Sequence, residues 1–487
     1  MPRSCVRKSR HTNELNRKVP GKRHPPLPQS LVPSPILLYH TTVGFWKKKF
    51  HLMIFSLFGV AALLVWSCAS TRFFAAIDGE LDRSRYAAGI DLLEKNKKSL
   101  YTGRDTILYY LDKGMLCHYA GLYGDSSRLL QEGERAIEDA FTKSVSQIIS
   151  TYLINDNVRD YEGEDYEDIY LNAFNALNYH HRGDSEGAMV EIRRMTGKLQ
   201  HLSLKYDTAL SNLQQKALED DLSQIPKNPN APAQFNDSAL ARYLGMLFYR
   251  GAGLHDDARI DRNWLLAAFA NAPAVYSYPV ASSISGELEI PRGMARLNVL
   301  AFGGLSPVKK ETVLRISLPA ERWIKIALPE MVSRRSDIRR VALVLDSGES
   351  FDLELLEDMD AVAKTTFSVR QQLIYLKTVI RAVLKGAGSS ALAVAATAEE
   401  DENTSLALGL ASIAAQVFAE VSERADVRMS RFFPARAYIG GINLEPGSYS
   451  FQIKYYNRNG KEIDSVSHNG MLIRENALNL VETVCLK

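Results

Sequence analysis

Apolar residues in the first half of the chain recur every three or four positions, the period of an α-helix. Between about Asp78 and Phe269 these residues form stripes that are interrupted by short polar breaks. One stripe consists of Leu108, Leu111, Met115 and Tyr119, and a second follows from Leu129. The same order of stripe, break and stripe recurs around Gly183 and, more weakly, around Gly253. The pattern predicts antiparallel pairs of helices joined by short turns.

Two of these breaks have the same chemistry. Gly124 is followed by Asp125, and Gly183 is followed by Asp184. A glycine readily adopts the left-handed geometry that ends one helix, and an aspartate caps the next one. The four residues are therefore predicted to form the turns of helix hairpins of the tetratricopeptide (TPR) type, whose stacked helices bind other proteins. The irregular spacing of the breaks indicates a divergent array.

In the second half the period of the pattern changes to two, which is typical of strands. The predicted strands are 286–290, 295–301, 312–318, 323–328, 340–345, 448–456, 461–467, 471–474 and 478–484. Asn459-Gly460 is a strong hairpin signal between two of them. We therefore predict an α+β protein, in which a TPR-like helical array precedes a β-sandwich-like domain with a helical insertion.

The same patterns set the expected domain boundaries. These are a leader and signal peptide over 1–67, a TPR-like helical domain over 68–270, a β domain over 271–358 and 427–487, and a helical insertion over 359–426. The insertion contains two apolar runs, 391–398 and 406–421, which four acidic residues separate. Each run is too short to cross a bilayer. The two runs are expected to form a hairpin that is either buried or lies against a membrane or a partner.

The leader resembles an export signal. Lys47-Lys48-Lys49 precede an apolar run over 50–66, and Ser67-Cys68 follow it. A basic segment, an apolar core and small residues at the exit describe a secretory signal, and the residues before Cys68 resemble a bacterial lipobox. Cys68 is therefore the predicted lipidation site, and an uncleaved N-terminal anchor is the alternative. The first 42 residues are expected to be upstream read-through.

The overall charge of +3 conceals two unlike parts. The first 50 residues contain 11 of the 59 basic residues and one acid, Glu14, so the remainder carries 48 basic and 55 acidic residues. Export and this net charge of −7 argue against nucleic-acid binding. Among the cysteines that remain after Cys68, the spacing of Cys117 and Cys485 leaves open whether the two thiols pair.

A strongly acidic segment lies between the first two helix pairs, over residues 155–168. It is predicted to be either a solvated loop, a contact for a protein partner, or a cation site. Its candidate partner-binding residues are Tyr161, Glu162, Glu164, Asp165, Tyr166 and Glu167.

Catalytic motifs are missing from the sequence. It has no GxSxG, HExxH or GxxxxGK[ST] pattern, and no Cys and His spacing that suits zinc. We therefore expect a protein that is not an enzyme and that uses no cofactor or metal. A short basic cluster, Arg334, Arg335, Arg339 and Arg340, is interpreted either as a solvated strand edge or as a site for anionic lipid or glycan.

Several segments together resemble an uncharacterised family of bacterial envelope lipoproteins with degenerate TPR-like hairpins. The resemblance is carried by 157–167, Tyr179 with Gly183-Asp184, 256–259, Gly304-Leu305 with Pro307, and 423–434. It implies an architecture and no catalytic residues, and it points to lipoproteins that support peptidoglycan synthases.

The resulting hypothesis is a periplasm-facing lipoprotein, outer membrane favoured, that acts as a protein-interaction scaffold for an envelope partner. A glycan- or lipid-binding envelope protein, or an envelope hydrolase with an unrecognised site, is the alternative.

Overall fold

The computed structural model describes residues 72–151, 159–202, 205–207, 210–212, 214–215, 235–318, 322–398, 408 and 424–487. Residues from Cys68 to Lys487 belong to one compact unit. The predicted leader, signal peptide and lipidation site at Cys68 lie outside the described residues.

The helices lie mainly in the first half of this unit. They are α1 (72–81), α2 (Tyr86–Lys95), α3 (Lys97–Leu100), α4 (Thr106–Tyr119), α5 (Tyr123–Thr151), α6 (Asp165–His181), α7 (Ser185–Leu202), α8 (Ala239–Gly251), α9 (His255–Asn271) and α10 (Met359–Ala398). From α4 to α9 consecutive helices form pairs, and each pair contacts the next.

The turn between α6 and α7 is formed as predicted. Gly183 has a φ of +75°, and the Asp184 carboxylate accepts a hydrogen bond from the Gly187 N–H at 2.8 Å. The prediction is wrong for Gly124 and Asp125, because both lie in the first turn of α5. The left-handed residue there is Gly121, with a φ of +73°. Gly121 is the first glycine after the apolar stripe of α4, so the helix ends there and Gly124 is left free to be helical.

The strands are β1 (Ala295–Leu305), β2 (Val308–Leu318), β3 (Arg322–Val332), β4 (Arg340–Leu345), β5 (Ser350–Asp358), β6 (Pro434–Leu444), β7 (Gly447–Tyr456), β8 (Glu462–Ile473) and β9 (Asn479–Cys485). The seven strands other than β2 and β3 form one sheet in the order β8-β7-β4-β5-β6-β1-β9. β1 and β9 pair in parallel, and the other neighbours in this sheet are antiparallel.

This sheet is nearly closed, so the expectation of two facing sheets is wrong while the α+β class is confirmed. Its two edge strands approach each other, and Lys487, just after β9, donates a hydrogen bond to the Ile463 carbonyl of β8 at 2.7 Å. Because the sheet is curved, the side chains on its concave face pack against one another. Val299 of β1, for example, lies in an apolar core that consists mainly of side chains from the same sheet. The alternate residues, such as Leu300, face the helices instead.

The predicted strand at 286–290 is wrong, because Gly286 ends the 3-10 helix Ser282–Gly286 and residues 287–290 form a turn and irregular backbone. Strands β5 and β6 were not predicted. β6 contains Pro434 and two glycines, which normally argue against a strand inside a sheet. Here the glycines are required by close packing, because a Cβ at Gly441 would lie 2.5 Å from the Arg296 guanidinium.

Helices and sheet share one continuous apolar core. The rings of Phe174, on α6, and Phe302, on β1, lie 4.9 Å apart between centroids. Among the described residues of this unit the two cysteines, Cys117 and Cys485, are both buried and both free. The predicted helical and β domains therefore pack as parts of a single compact unit.

Strands β2 and β3 form a separate two-stranded sheet that packs against α10. The contact is a small apolar cluster that includes Ile324 and Ile326 of β3, and Tyr375 and Val379 of α10. α10 continues through the apolar run 391–398, while the run 406–421 lies outside the described residues except for residue 408. Within the described part of the chain, no helix has both the length and the apolar character needed to cross a membrane.

Candidate functional site

From Tyr161 to Glu167 the acidic segment is largely buried, so its interpretation as a solvated loop is wrong for these residues. Side chains of Tyr161, Glu164, Asp165, Tyr166 and Glu167 are at most 4% exposed. Glu162 is more accessible, and it pairs with Arg159 at 3.1 Å and with Arg370 at 3.3 Å. The segment forms the start of α6, where acidic side chains interact favourably with the helix dipole. Burial of so many acids requires partners from elsewhere in the chain.

Glu167 binds the segment that enters β6. Its carboxylate accepts hydrogen bonds from the Ser430 N–H at 2.6 Å, from the Tyr161 hydroxyl at 2.8 Å and from the Glu164 N–H at 3.0 Å. Burial, together with the negative charge of Glu164, raises the pKa of Glu167 to about 7. Glu167 thus connects two of the segments on which the family resemblance rests, through its contact with Ser430.

Glu164 connects the start of α6 to the β2–β3 hairpin and to α10. Its carboxylate pairs with Lys309 of β2 and, at 3.2 Å, with Arg370 of α10. All three side chains are largely buried. Although burial opposes its charge, Glu164 raises the pKa of Arg370 above its usual value. These contacts are structural, because each cation binds a carboxylate inside the protein. Glu164 binds both Lys309 and Arg370, and Arg370 also binds Glu162.

Asp165 points toward a cleft that lies between α5, α6 and α7. The cleft has a volume of about 1050 Å³. It is lined by Gln131, Glu134, Arg135, Ile137, Glu138, Phe141, Asp165, Asp168, Ile169, Arg194, Gly197, Lys198, His201, Leu202 and Lys205. Asp165 is thus the member of the predicted set that lines the cleft, and Asp168 from the same acidic segment lies beside it.

Ion pairs hold the floor of the cleft in place. The Lys198 ammonium binds the Glu134 carboxylate at 2.7 Å and the Asp168 carboxylate at 2.6 Å. Lys205 binds Asp165 at 2.7 Å. Burial alone would raise the pKa of Glu134, but Lys198 lowers it below its usual value. These pairs tie α5 and the end of α7 to α6, so the shape of the cleft is largely fixed before anything binds.

Apolar side chains line the cleft between these charges. Ile137 and Phe141 come from α5, Ile169 from α6 and Leu202 from α7. At the rim, the Arg194 side chain is 50% exposed although it contacts Glu134 at 3.0 Å. An apolar groove with a few fixed charges of both signs suits a side chain or short segment of a protein better than a small charged metabolite.

The cleft residues outside the acidic segment were not predicted from the sequence, although a signal was present. Glu134 lies four residues after Leu130 and three before Ile137, in phase with the buried stripe of α5. Glu191 and Lys198 occupy similar positions on α7. A charged residue in phase with an apolar stripe must be paired in the core, and the partners are supplied by the neighbouring helix.

A second buried polar cluster joins the helices to the last strand. Glu482, on β9, accepts hydrogen bonds from the His118 Nε2 at 2.6 Å and the His181 Nε2 at 2.7 Å. The ring of His181 stacks on Tyr123 with centroids 4.1 Å apart. Burial would raise the pKa of Glu482, but the charge of His118 and both hydrogen bonds lower it to about 2. Glu482 and His118 are buried, while His181 lies at the surface, and the hydrogen bonds of the cluster fasten β9 to α4 and α6.

The predicted basic cluster does not form one surface. Arg334 pairs with Asp78 at 2.9 Å, Arg340 pairs with Asp352 at 2.6 Å, and Arg339 donates to backbone carbonyls. Arg335 projects outward with a side chain that is 91% exposed. The four arginines thus contact different groups, and Arg335 meets Asp337 at the surface, 3.5 Å away.

Among the described residues, no group of three or more His, Cys, Asp or Glu side chains is arranged to hold a metal ion. Comparison of the chain with protein-family models, with curated proteins and with solved structures finds no match.

Proposed function

We propose that this protein is a cell-envelope lipoprotein that acts as a protein-interaction scaffold, and that the cleft between α5, α6 and α7 receives a segment of its partner. The observation that carries the proposal is the cleft itself, which combines apolar walls with a floor of paired charges. Support of peptidoglycan assembly is the setting that the family resemblance suggests.

The succession of helix pairs supports a TPR-like array. In each pair a glycine allows close approach: a Cβ at Gly114 would lie 2.8 Å from Leu130, one at Gly187 2.6 Å from Tyr179, and one at Gly245 2.1 Å from an oxygen of Asp261. A repeated device at the crossing of two helices is typical of stacked hairpins, which present grooves to other proteins.

A lipid at Cys68 would hold the cleft near the membrane. The test is labelling with a fatty-acid probe in a bacterial host. We expect the wild-type chain to be labelled and shortened, while Cys68→Ser is neither. Labelling of the Cys68→Ser variant would contradict the lipid site without bearing on the cleft.

Binding in the cleft is tested by filling it. A Cβ at Gly197, on the cleft wall, would meet no heavy atom within 4 Å, so a side chain can start there without a clash, and Gly197→Trp is designed to occupy the cleft. Gly124→Trp is the matched control, because Gly124 also lies in a helix with no atom within 4 Å but does not line the cleft.

The readout uses a photo-crosslinking residue at position 131, in the cleft. In intact envelopes we expect one defined protein adduct, reduced about tenfold or more by Gly197→Trp, which corresponds to about 1.4 kcal/mol of binding free energy. The Gly124→Trp variant should keep the adduct. An adduct that Gly197→Trp leaves unchanged would refute the cleft as the binding site.

A further inference from the structure

The β2–β3 hairpin has an exposed edge. In the part of the chain that the structure describes, β2 pairs only with β3, over eleven residue pairs from Val308 with Val332 to Leu318 with Arg322. β3 packs against α10. The backbone N–H and C=O groups on the other side of β2 therefore have no neighbouring strand among the described residues.

The middle of β2 is apolar as well as exposed. Val313 is 47% exposed and Leu314 is 40% exposed, on opposite faces of the strand. Edge strands of soluble proteins are usually short, or are protected by charged residues, proline or a bulge. β2 is eleven residues long and continuous in its pairing. Its exposed charged residues, Lys310, Glu311 and Arg315, flank Val313 and Leu314, while Lys309 is buried against Glu164. Such an edge is suited to the addition of another strand.

The sequence of β2 is complementary to itself. If two copies pair antiparallel with Val313 opposite Val313, all eleven residues overlap, because Val313 is the midpoint of the strand. The same alignment places Glu311 opposite Arg315 of the other copy, twice by symmetry. Both side chains are exposed. Opposite charges that face each other across two strands stabilise their pairing.

Other alignments are less favourable. A register must shift by two residues at a time to keep the same face of both hairpins on one side. A shift in one direction places Arg315 opposite Lys309, and a shift in the other places it opposite Val313. Further shifts place Glu311 opposite Glu311 or Arg315 opposite Arg315. The alignment with the longest overlap is thus also the one that pairs opposite charges.

We propose that the β2 edge is a homodimer interface, at which two copies of this chain join their hairpins into one four-stranded antiparallel sheet. The interface is isologous, as the two-fold symmetry of most dimers requires. It uses a different surface from the cleft, and the proposal does not depend on the proposed function. It leaves both clefts available, since no cleft residue belongs to the hairpin.

Charge reversal tests the register. The full-length protein in detergent is compared by sedimentation with its Glu311→Arg, Arg315→Glu and doubly substituted variants. In each single variant the side chains at positions 311 and 315 of the two copies carry the same charge, so we expect the dimer dissociation constant to rise about tenfold. The double variant again pairs opposite charges and should regain the wild-type constant. A wild-type monomer at micromolar concentration, or a folded double variant that stays monomeric, would overturn the proposal.

A second variant separates the dimer from the contact that Glu311 makes within its own chain. The Glu311 carboxylate accepts a hydrogen bond from the Ala425 N–H at 2.8 Å. Glu311→Gln retains an acceptor for this bond and removes the charge. We therefore expect it to weaken the dimer while leaving the thermal midpoint of the monomer unchanged. A lower thermal midpoint together with an unchanged dimer dissociation constant would contradict the proposal.

Disulfide trapping locates the two-fold axis. In the proposed register the side chains at position 313 face each other, so Val313→Cys should form a disulfide-linked homodimer on mild oxidation. Val427→Cys is the matched control, because Val427 is 43% exposed and lies outside the hairpin. A homodimer that forms at least tenfold faster with cysteine at 313 supports the interface. Equal rates, or trapping of a different protein at 313, would refute it.

Discussion

Replacement of Glu482 by glutamine removes the negative charge that lies between His118 and His181. The orientation of Asn178 fixes the protonation of His118. The Asn178 amide nitrogen donates to Ser126, so its oxygen accepts from the His118 Nδ1 at 2.7 Å. The Nε2 of the same ring donates to Glu482. Both ring nitrogens thus carry hydrogen, and His118 is a buried cation that requires the Glu482 charge.

The expected loss of stability follows from the pKa of Glu482. A shift from the usual value of 4.5 to about 2 corresponds to about 3 kcal/mol of folding free energy. Removal of one member of a buried ion pair commonly costs about 3–5 kcal/mol, because the other charge is left unpaired. Both considerations give an expected loss of about 3 kcal/mol for Glu482→Gln.

The size of this loss depends on pH in a defined direction. Because folding lowers the pKa of Glu482, its contribution is complete above about pH 4.5 and is lost as the pH falls toward 2. Burial opposes the charge of His118, but Glu482 raises its pKa above 6.5. The histidine contribution is therefore complete below pH 6.5 and is lost as the pH rises through the raised value. The substitution should be most damaging between about pH 4.5 and 6.5.

Chemical denaturation of the wild-type chain and the variant at pH 6 and pH 3 measures both effects. We expect a difference of about 3 kcal/mol at pH 6, shrinking to about 1 kcal/mol at pH 3, where the unfolded-state carboxyl is already protonated. Glu445→Gln, at an exposed position after β6, is the control and should change little at either pH. A loss below 1 kcal/mol at pH 6, or an equal loss at both pH values, would refute the reasoning.

Two further predictions concern packing and a buried carboxylate. Gly245→Ala places a methyl group 2.1 Å from an oxygen of Asp261, so it should lower the free energy of unfolding by about 1–3 kcal/mol. A Cβ at Gly197 meets open space, so Gly197→Ala should raise the free energy of unfolding by about 0.5–1 kcal/mol. Urea unfolding that shows the same change in stability for both variants would contradict this explanation. Tyr276 donates to the buried Glu357 at 2.6 Å, so thermal and urea unfolding should show a loss of about 1.5–3 kcal/mol for Tyr276→Phe. A loss below 0.5 kcal/mol would show that another group replaces the hydroxyl.

Local signals predicted the elements where a few neighbouring residues decide the backbone. Gly183-Asp184 ends one helix and caps the next, and Gly460 has the positive φ, +71°, that its hairpin requires. The same signals failed at β6, where two glycines are required by side chains of Leu353 and Arg296, distant in sequence. They also failed at Gly124, because Gly121 ends the preceding helix three residues earlier.

The sequence by itself determined the alternation of helical and strand periods, and with it the α+β class, because hydrophobic periodicity is a local property of the chain. It did not determine where the acidic segment lies. Carboxylates are normally solvated, and their burial requires cations that come from distant parts of the chain. Only the tertiary structure brings Lys309 and Arg370 to Glu164, and Lys205 to Asp165. That long-range pairing of charges turned an expected surface loop into the floor of a cleft.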